Sequence, residues 1–368
     1  MESDFPTRSV REGDVDLLVP DVERRPGPGT RSPLPFYNPA MAVARDISVL
    51  VVRALASRPL RVLDGLAAAG ALGLRIAREG GANLEVVLND KNPRAAVLVR
   101  RNIERNAIGN ARVVSEDLNG HLATHHYDIV ELDPFGSPVP FLDAALLSAH
   151  RGSVLAVTAT DTAVLTGAKP EAAWRRYLAR VRHTDAYAEV GVRVLLGYIA
   201  RIAARFDKAV ELLLAYAAGH FVKVHLRISE GAGRTDNALR QLGWFRFDPL
   251  TGAYAPAEEA GDPGVLGPVW SGPLAGDLLT AVRPTSITGH TAARILDGLR
   301  REASLPPFYA DNNLMARRAR VSPPRLARVL EALEARGFHA APTFFQENAF
   351  KTDAPWAEVL EVYRSVEG

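Results

Sequence analysis

The residues with the clearest chemical potential are Asp133-Pro134-Phe135-Gly136-Ser137-Pro138, which directly follow an apolar run ending at Leu132. The pattern is of the Asp/Asn-Pro-Pro-aromatic type. A carboxylate and a proline-constrained carbonyl can accept the hydrogens of an aromatic amine while the adjacent ring stacks on its base. An acid before proline is otherwise a common turn. Asp133 is therefore the predicted acceptor and candidate general base.

Three further acids follow predicted strands. Asp64 opens a turn of small residues, Asp64 to Gly73, where backbone can approach a ligand and the acid can engage its amino group. Asp90 lies at the end of the next strand, where a carboxylate can accept both ribose hydroxyls of a nucleoside. Asp117 and Leu118 follow the third strand, where adenine is normally held in such folds. Each signal alone also fits a simple turn, but together they favour a nucleoside-containing cofactor.

The elements that must position these acids are short β-branched runs separated mostly by helical segments. A link of four residues between the last two runs permits an antiparallel hairpin but no parallel crossover. The sequence therefore predicts an α/β fold with a seven-stranded, Rossmann-like sheet whose last strand is reversed, as in the common methyltransferase fold. The predicted strands are Arg61–Leu66, Glu85–Asn89, Ala111–Ser115, Tyr127–Leu132, Gly152–Thr158, Ala209–Tyr216 and Phe221–Ile228.

The two ends of the chain differ from this regular centre. The first forty residues, rich in Pro, Gly and Arg between Arg24 and Pro35, predict an irregular arm before a helix from about Pro39 to Ala56. Past Glu230, Gly, Pro, Asp and Trp give little regular signal as far as about Pro284. We expect a catalytic domain with its arm over residues 1–230 and a second domain over 231–368.

The last eighty residues predict a smaller, winged-helix-like α+β domain. Nine Arg stand against five acids between Ser286 and Ala340, an excess suited to phosphate contact and equally well explained as a solvated helix face. The predicted elements are helices over Thr291–Glu302, Asn312–Arg320 and Pro323–Arg336 and a strand over Phe338–Phe345.

Composition excludes several kinds of chemistry. The 368 residues contain no Cys, so disulfides, thiolate catalysis and Cys-ligated metals are excluded. The formal net charge is +2, which does not by itself indicate a nucleic-acid partner. Because Cys is absent, we also expect no bound metal. Apolar stretches are too short or carry arginines, so we expect no membrane span and a cytoplasmic location.

The order of motifs along nearly the whole chain resembles the tRNA guanine-26 N2-dimethyltransferase family. The resemblance rests on Phe36-Tyr37-Asn38-Pro39, Arg45-Asp46, Asp64, Asn89-Asp90, Asp133 to Pro138, Val157 to Asp161, Glu189-Val190-Gly191 with Arg193, Gly267-Pro268-Val269-Trp270 with Gly272-Pro273-Leu274, and Lys351-Thr352 with Pro355.

This resemblance implies that S-adenosylmethionine is the cofactor and that N2 of guanine 26 in tRNA is methylated. It further implies that the base is flipped out of its stack and that the C-terminal domain grips the tRNA backbone. Asp133 would meet the guanine amine, and Phe36 and Phe135 would sandwich the base. The implied cofactor contacts are Arg45, Asp64 with the turn ending at Gly70, Asp90, Asp117 and Leu118.

Departures from the family leave alternatives open. The family's first turn usually carries Ser, Thr and Arg where this chain has Ala67, Ala69 and Leu72, so polar cofactor contacts there must come from backbone or from Arg75. Some members carry a Cys-ligated zinc that this chain cannot have. The alternatives are methylation of another RNA guanine or of DNA adenine N6, and a non-catalytic nucleic-acid reader. The sequence leaves mono- versus dimethylation open.

Overall fold

The computed structural model describes residues 4–22, 33–258 and 264–366. The chain begins with an antiparallel hairpin of β1 (Thr7–Glu12) and β2 (Val15–Pro20). The prediction of an irregular arm over the first forty residues is therefore wrong here, while much of the Pro-, Gly- and Arg-rich stretch lies outside the described residues. The missed signal was the alternation of Val15, Leu17 and Val19, which are fully buried on one face.

Two asparagines of a later helix hold the free edge of β2. The Asn106 side chain accepts from the Asp16 N–H at 2.8 Å and donates to the Asp16 carbonyl at 2.9 Å. Asn102 does the same with Leu18, at 2.7 and 3.0 Å. Because an amide side chain carries both a donor and an acceptor, each asparagine takes the place of a strand residue beside β2.

The centre is a seven-stranded sheet in the order β5-β4-β3-β6-β7-β9-β8. The first five strands are parallel, and β9 runs antiparallel to both β7 and β8. This confirms the predicted Rossmann-like sheet with a reversed last strand. The strands are β3 (Leu60–Asp64), β4 (Leu84–Asn89), β5 (Ala111–Val114), β6 (Ile129–Leu132), β7 (Val154–Ala159), β8 (Lys208–Ala218) and β9 (Phe221–Glu230).

Helices cover the sheet, so its strands are almost continuously apolar. The helix predicted from about Pro39 is a 3-10 turn, Pro39–Met41, followed by α1. The helices are α1 (Ala42–Leu55), α2 (Ala71–Glu79), α3 (Pro93–Arg105), α4 (Leu118–Leu122), α5 (Val139–Ser148), α6 (Thr162–Leu165), α7 (Pro170–Tyr177) and α8 (Tyr187–Ala204).

The region after Glu230 is more regular than its composition predicts. It contains α9 (Ala232–Leu239) and a three-stranded antiparallel sheet of β10 (Leu242–Phe247), β11 (Tyr254–Ala257) and β12 (Val265–Trp270). Strand β12 packs against α8. Neighbouring apolar surface therefore stabilises strands whose own sequences carry weak signals. The domain division at residue 231 stays a prediction.

The C-terminal module has the order helix, strand, helix, helix, strand, strand, which confirms the predicted winged-helix-like fold. Its three strands lie in the order β13-β15-β14, and an additional helix ends the chain. The elements are α10 (His290–Arg301), β13 (Ala310–Asp311), α11 (Asn312–Ala319), α12 (Leu326–Ala335), β14 (Ala340–Pro342), β15 (Ala349–Thr352) and α13 (Trp356–Ser365). In the described ranges no helix is long and apolar enough to cross a membrane.

Four buried acidic and basic side chains join this module to the sheet, and we call them the Glu189 network: Glu189, Arg193, Glu302 and Lys351. Burial raises the pKa of Glu302 to about 7. Glu189 of α8 accepts from Arg193 at 2.6 Å and from Lys351 of β15 at 2.9 Å. Lys351 also lies 3.4 Å from Glu302. Arg193 donates to the carbonyls of Trp270 and Gly272 at 2.8 and 2.9 Å. Three of the motifs quoted for the family resemblance therefore meet at one joint.

Replacing Lys351 with Met should lower the free energy of unfolding by about 3 kcal/mol, because the buried carboxylate of Glu189 and the carboxyl group of Glu302, whose pKa is about 7, lose their shared cation. We expect the lower end of the range for such losses, since Arg193 still neutralises Glu189. Urea unfolding measures the change, and the exposed Lys169→Met is the matched control. Equal losses in the two variants would show that the joint does not depend on Lys351.

Candidate active site at the strand switch point

The site lies where the order of the sheet reverses. Strand β3 has β4 on one side and β6 on the other, and open α/β sheets bind ligands at the carboxyl ends of strands at such a point. Asp64 ends β3 and pairs in register with Glu131 of β6. Asp133 follows Glu131 by two residues. The structure therefore brings the two predicted acids Asp64 and Asp133 to the same crevice.

Asp64 is buried and held in one orientation. Its Oδ2 accepts from the N–H of Gly73 in the first turn of α2 at 2.9 Å. Burial raises its pKa to about 7, the Gly73 hydrogen bond opposes the rise, and the carboxylates of Glu131 and Asp133 add to it. A Cβ at Gly73 would lie 2.6 Å from the Leu88 side chain, so only glycine allows the helix to approach this closely.

Asp90 and Asp117 follow the next two strands, as predicted. Asp90 accepts from the backbone N–H of Ala68 and of Asn92, both at 2.9 Å, and burial raises its pKa. Its carboxylate oxygens have further lone pairs to offer. Asp117 is exposed and caps α4, while the neighbouring Leu118 is buried. The acid and the apolar side chain thus lie at one strand end.

Backbone hydrogen bonds hold the altered turn. The N–H groups of Ala67, Ala68 and Ala69 donate to the carbonyl of Asn89, to the carboxylate of Asp90 and to the carbonyl of Phe36. Gly70, which precedes α2 as its N-cap at φ +80°, donates its N–H to the Ala67 carbonyl at 2.6 Å. The turn therefore keeps its shape without the hydroxyl groups usual in the family. These four N–H groups are engaged within the protein.

Arg45 and Arg75 lie in a second buried ionic group, the Arg75 cluster, formed by Glu12, Arg45, Asp46, Arg75 and Glu79. Arg75 is 2% exposed and pairs with Asp46 at 2.7 Å, Glu79 at 2.9 Å and Glu12 at 3.2 Å. Arg45 makes two bonds of 2.6 Å to Glu12. These ion pairs give both arginines a structural role. Their contacts with a cofactor stay predictions, and the prediction is weaker for Arg75.

The acceptor loop after β6 is fastened to the next strand end. Gly136 donates to Thr160 Oγ1 at 2.7 Å and accepts from the Thr160 N–H at 2.9 Å. The hydroxyl of Tyr177 donates to Asp161 at 2.7 Å and lies 2.8 Å from Ser137 Oγ. Thr160 and Asp161 belong to a motif of the family resemblance for which no role was predicted, and no sequence pattern indicated Tyr177 of α7. The structure shows that all three hold the loop carrying Asp133.

The two predicted base-stacking rings lie in direct contact. Phe36 and Phe135 have ring centroids 4.7 Å apart with planes at 76°, an edge-to-face pair, and Phe135 is 38% exposed. A base between parallel rings needs a gap of about 7 Å, twice the ~3.4 Å spacing of stacked bases. The structure therefore brings the rings together without space for a base. The predicted sandwich requires at least one ring to turn.

Within the described ranges no cluster of three His, Cys, Asp or Glu side chains could hold a metal ion. The reversed seventh strand and the acids at successive strand ends define the class of protein as a Rossmann-like methyltransferase fold with an added C-terminal module.

The chain belongs to the N2,N2-dimethylguanosine tRNA methyltransferase family, whose model matches residues 13–364. It is 38% identical to the tRNA (guanine(26)-N(2))-dimethyltransferase of Thermococcus kodakarensis, over 97% of this chain and 99% of that protein. Identity to the enzyme of the same name from Aeropyrum pernix is also 38%, over 96% and 95%. The structure of Trm1 from Pyrococcus horikoshii with S-adenosyl-L-methionine matches with a TM-score of 0.86 at 34% identity, covering 96% of this chain and 99% of that one.

The raised pKa of Asp64 predicts a pH-dependent cost to folding. The pKa of this carboxyl is ~3.9 in the unfolded chain and about 7 in the folded protein. The stability present at low pH is therefore lost as the pH rises to 7. Asp64→Asn cannot ionise. Its free energy of unfolding, relative to the natural protein, should therefore rise by roughly 2 kcal/mol between pH 5.5 and 8.

Urea unfolding of the ligand-free protein at the two pH values measures this difference. The exposed Asp117→Asn keeps an oxygen to cap α4 and is the control for the substitution itself. A constant difference for Asp64→Asn would contradict a raised pKa at this position.

Proposed function

We propose that this protein transfers methyl groups from S-adenosylmethionine to the exocyclic N2 of guanine 26 in tRNA, giving N2-methyl- and N2,N2-dimethylguanosine. The observation that carries the proposal is the placement of Asp133, beside the switch point and next to an aromatic pair, in a chain of this family. A cytoplasmic location stays a prediction.

The residues at the strand ends fit the cofactor. Asp64 offers a buried carboxylate to an ammonium group, and Asp90 offers two oxygens to vicinal ribose hydroxyls. Asp117 and Leu118 offer an acid and an apolar surface to adenine. The bound cofactor supplies an electrophilic methyl group on a sulfonium, and its positive charge suits a crevice lined by Asp64 and Asp133.

Asp133 orients the amine and receives its proton. The carboxylate accepts one N2–H of guanine and the Pro134 carbonyl accepts the other, so that the nitrogen lone pair faces the methyl group. As the new N–C bond forms, the S–C bond breaks and its electron pair stays on sulfur. The nitrogen then loses a proton to Asp133. Positioning supplies much of the rate enhancement in such transfers.

The direct test is methylation of unmodified tRNA transcripts with labelled S-adenosylmethionine, followed by analysis of the nucleosides. We expect methylated guanosine from a transcript with guanosine at position 26 and none when adenosine replaces it. Following the mono- and dimethylated products over time determines how many methyl groups are transferred. Binding of the cofactor and RNA without modified guanosine would favour the non-catalytic reader instead.

Asp133→Asn should reduce the rate of methyl transfer by about 100- to 10,000-fold, because the amine loses its charged acceptor. Cofactor affinity should not fall, since Asp133 raises the pKa of Asp64 and its removal favours the ionised form. Single-turnover kinetics and calorimetry measure the two quantities. The control is Asp143→Asn, an exposed acid of α5. Transfer at the natural rate in Asp133→Asn would exclude the assigned role.

Tyr177→Phe should slow methyl transfer by about tenfold with little change in cofactor affinity, because the acceptor loop loses its link to Asp161. Stability should fall by about 1 kcal/mol for the lost hydrogen bonds. Single-turnover rates separate the positioning role from a purely structural one. Tyr198→Phe is the control, since this ring packs against Tyr177 at 5.5 Å. An unchanged rate would show that Tyr177 only stabilises the fold.

A further inference from the structure

We infer that the groove between α7 and β12 is a binding site for an RNA strand, with Trp174 as the stacking surface. The inference rests on the proposed function and names a surface through which the tRNA reaches Asp133. The groove has a volume of about 380 Å³ and is lined by Pro170, Glu171, Trp174, Arg175, Arg180 and Val265, among others.

Trp174 is unusually exposed for its size. About half of its surface, 49%, faces solvent, and the guanidinium of Arg180 lies 5.8 Å from its ring centroid. A large aromatic ring held by an arginine at the edge of a groove is a platform on which a base can stack, in any sequence. An exposed apolar ring alone would equally suit a protein partner. The charge around the groove distinguishes an RNA partner from a protein partner.

The segment that forms the groove is basic. Residues 169–187 contain five cationic side chains, Lys169, Arg175, Arg176, Arg180 and Arg182, against two acids, Glu171 and Asp185. Two of these charges are paired outside the segment, Asp185 with Arg318 of the C-terminal module at 2.5 Å and Arg176 with Asp161 at 3.1 Å, which leaves four cations against one acid. The whole chain has a formal net charge of only +2, so this positive excess is local. Phosphate groups are the partners that such a surface attracts.

The groove begins next to the acceptor loop. Tyr177, the last residue of α7, reaches Ser137 of that loop with its hydroxyl at 2.8 Å. Trp174 lies three residues earlier in the same helix, about 4.5 Å along the axis. The helix that presents the exposed ring is therefore the same helix that holds the acceptor loop. The exposed ring and the acceptor loop can contact one continuous strand.

The groove also continues toward the C-terminal module. Its floor is an extended segment in which Arg180 pairs with Gly267, through bonds of 2.7 and 2.9 Å. Arg182 belongs both to this groove and to a second one of about 370 Å³, whose other walls include Tyr187 and, from the C-terminal module, Leu314. The two grooves share Arg182 and together lead from α7 to the module predicted to hold the tRNA backbone.

The test measures affinity for an unmodified tRNA transcript by fluorescence anisotropy at two salt concentrations, using the full chain. Trp174→Ala should weaken binding roughly 5- to 150-fold, the loss of one stacked base, and Trp174→Phe should restore most of it. Arg175→Ala should reduce the slope of log affinity against log salt by about 0.7 to 0.9, the loss of one phosphate contact.

The controls are Leu147→Ala and Arg151→Ala. Both side chains are exposed, and they lie at the amino edge of the parallel strands, opposite Asp133. We expect tRNA affinity within about twofold of the natural protein for both, and S-adenosylmethionine affinity unchanged in all five variants. This last measurement also shows that each variant is folded, since the cofactor residues come from several strand ends.

The outcomes distinguish this inference from the proposed function. If the natural protein makes methylated guanosine in tRNA and Trp174→Ala binds tRNA equally well, the groove is not the RNA site and the proposed function stands. A Trp174→Ala variant that loses self-association, with tRNA affinity intact, would show an interface between copies of the chain and would also overturn the inference. If the natural protein neither binds nor methylates tRNA, both proposals fail.

Discussion

Glu189 must be neutralised where it lies, because an isolated carboxylate in the interior of a protein costs several kcal/mol. It is fully buried on α8, in the middle of the chain, and its partners come from two directions. Arg193 lies one turn away on the same helix, and Lys351 comes from β15 near the end of the chain. The sheet and the C-terminal module can therefore reach their lowest free energy only together, with Lys351 inside the joint.

This constraint also orders the functional surface. The joint fixes α8, and α8 packs against both α6 and α7, the helices that follow Asp161. Tyr177 at the end of α7 then holds the acceptor loop through Ser137. The position of Asp133 thus depends on contacts that begin at a buried ion pair in another part of the molecule. Substitutions at the joint should for this reason affect more than stability.

Much of the fold could be predicted from the sequence because its strands are buried on both faces. The continuous apolar runs before Asp64, Asp90 and Asp133 identify the strands and also their carboxyl ends, where the acids then follow. Residues 7–20 and 242–270 were missed for different reasons. The hairpin at 7–20 carries a local signal that was overlooked, the alternation of Val15, Leu17 and Val19, whereas the strands at 242–270 depend on packing against α8. No local pattern reports such contacts.

The site could be predicted as a set of residue types but not as a set of contacts. Asp64, Asp90 and Asp133 lie together because the topology brings strand ends together, which the order of elements already implies. Arg45 and Arg75 were also predicted to contact the cofactor, yet the structure places both in a buried cluster with Glu12. The order of motifs identifies the side chains that this chain shares with the family. Interatomic distances are needed to tell whether a side chain contacts the ligand or supports another residue that does.

The contact between Phe36 and Phe135 bears on how a base could enter. An edge-to-face pair at 4.7 Å leaves no gap for a base between the two rings. Phe135 is partly exposed and follows the buried Pro134, so its ring can turn while the backbone of the loop stays fixed. Phe36 is tied through its own carbonyl to Ala69 in the cofactor turn. A base that displaces the Phe135 ring would therefore lie beside a segment that is hydrogen-bonded to the turn after β3.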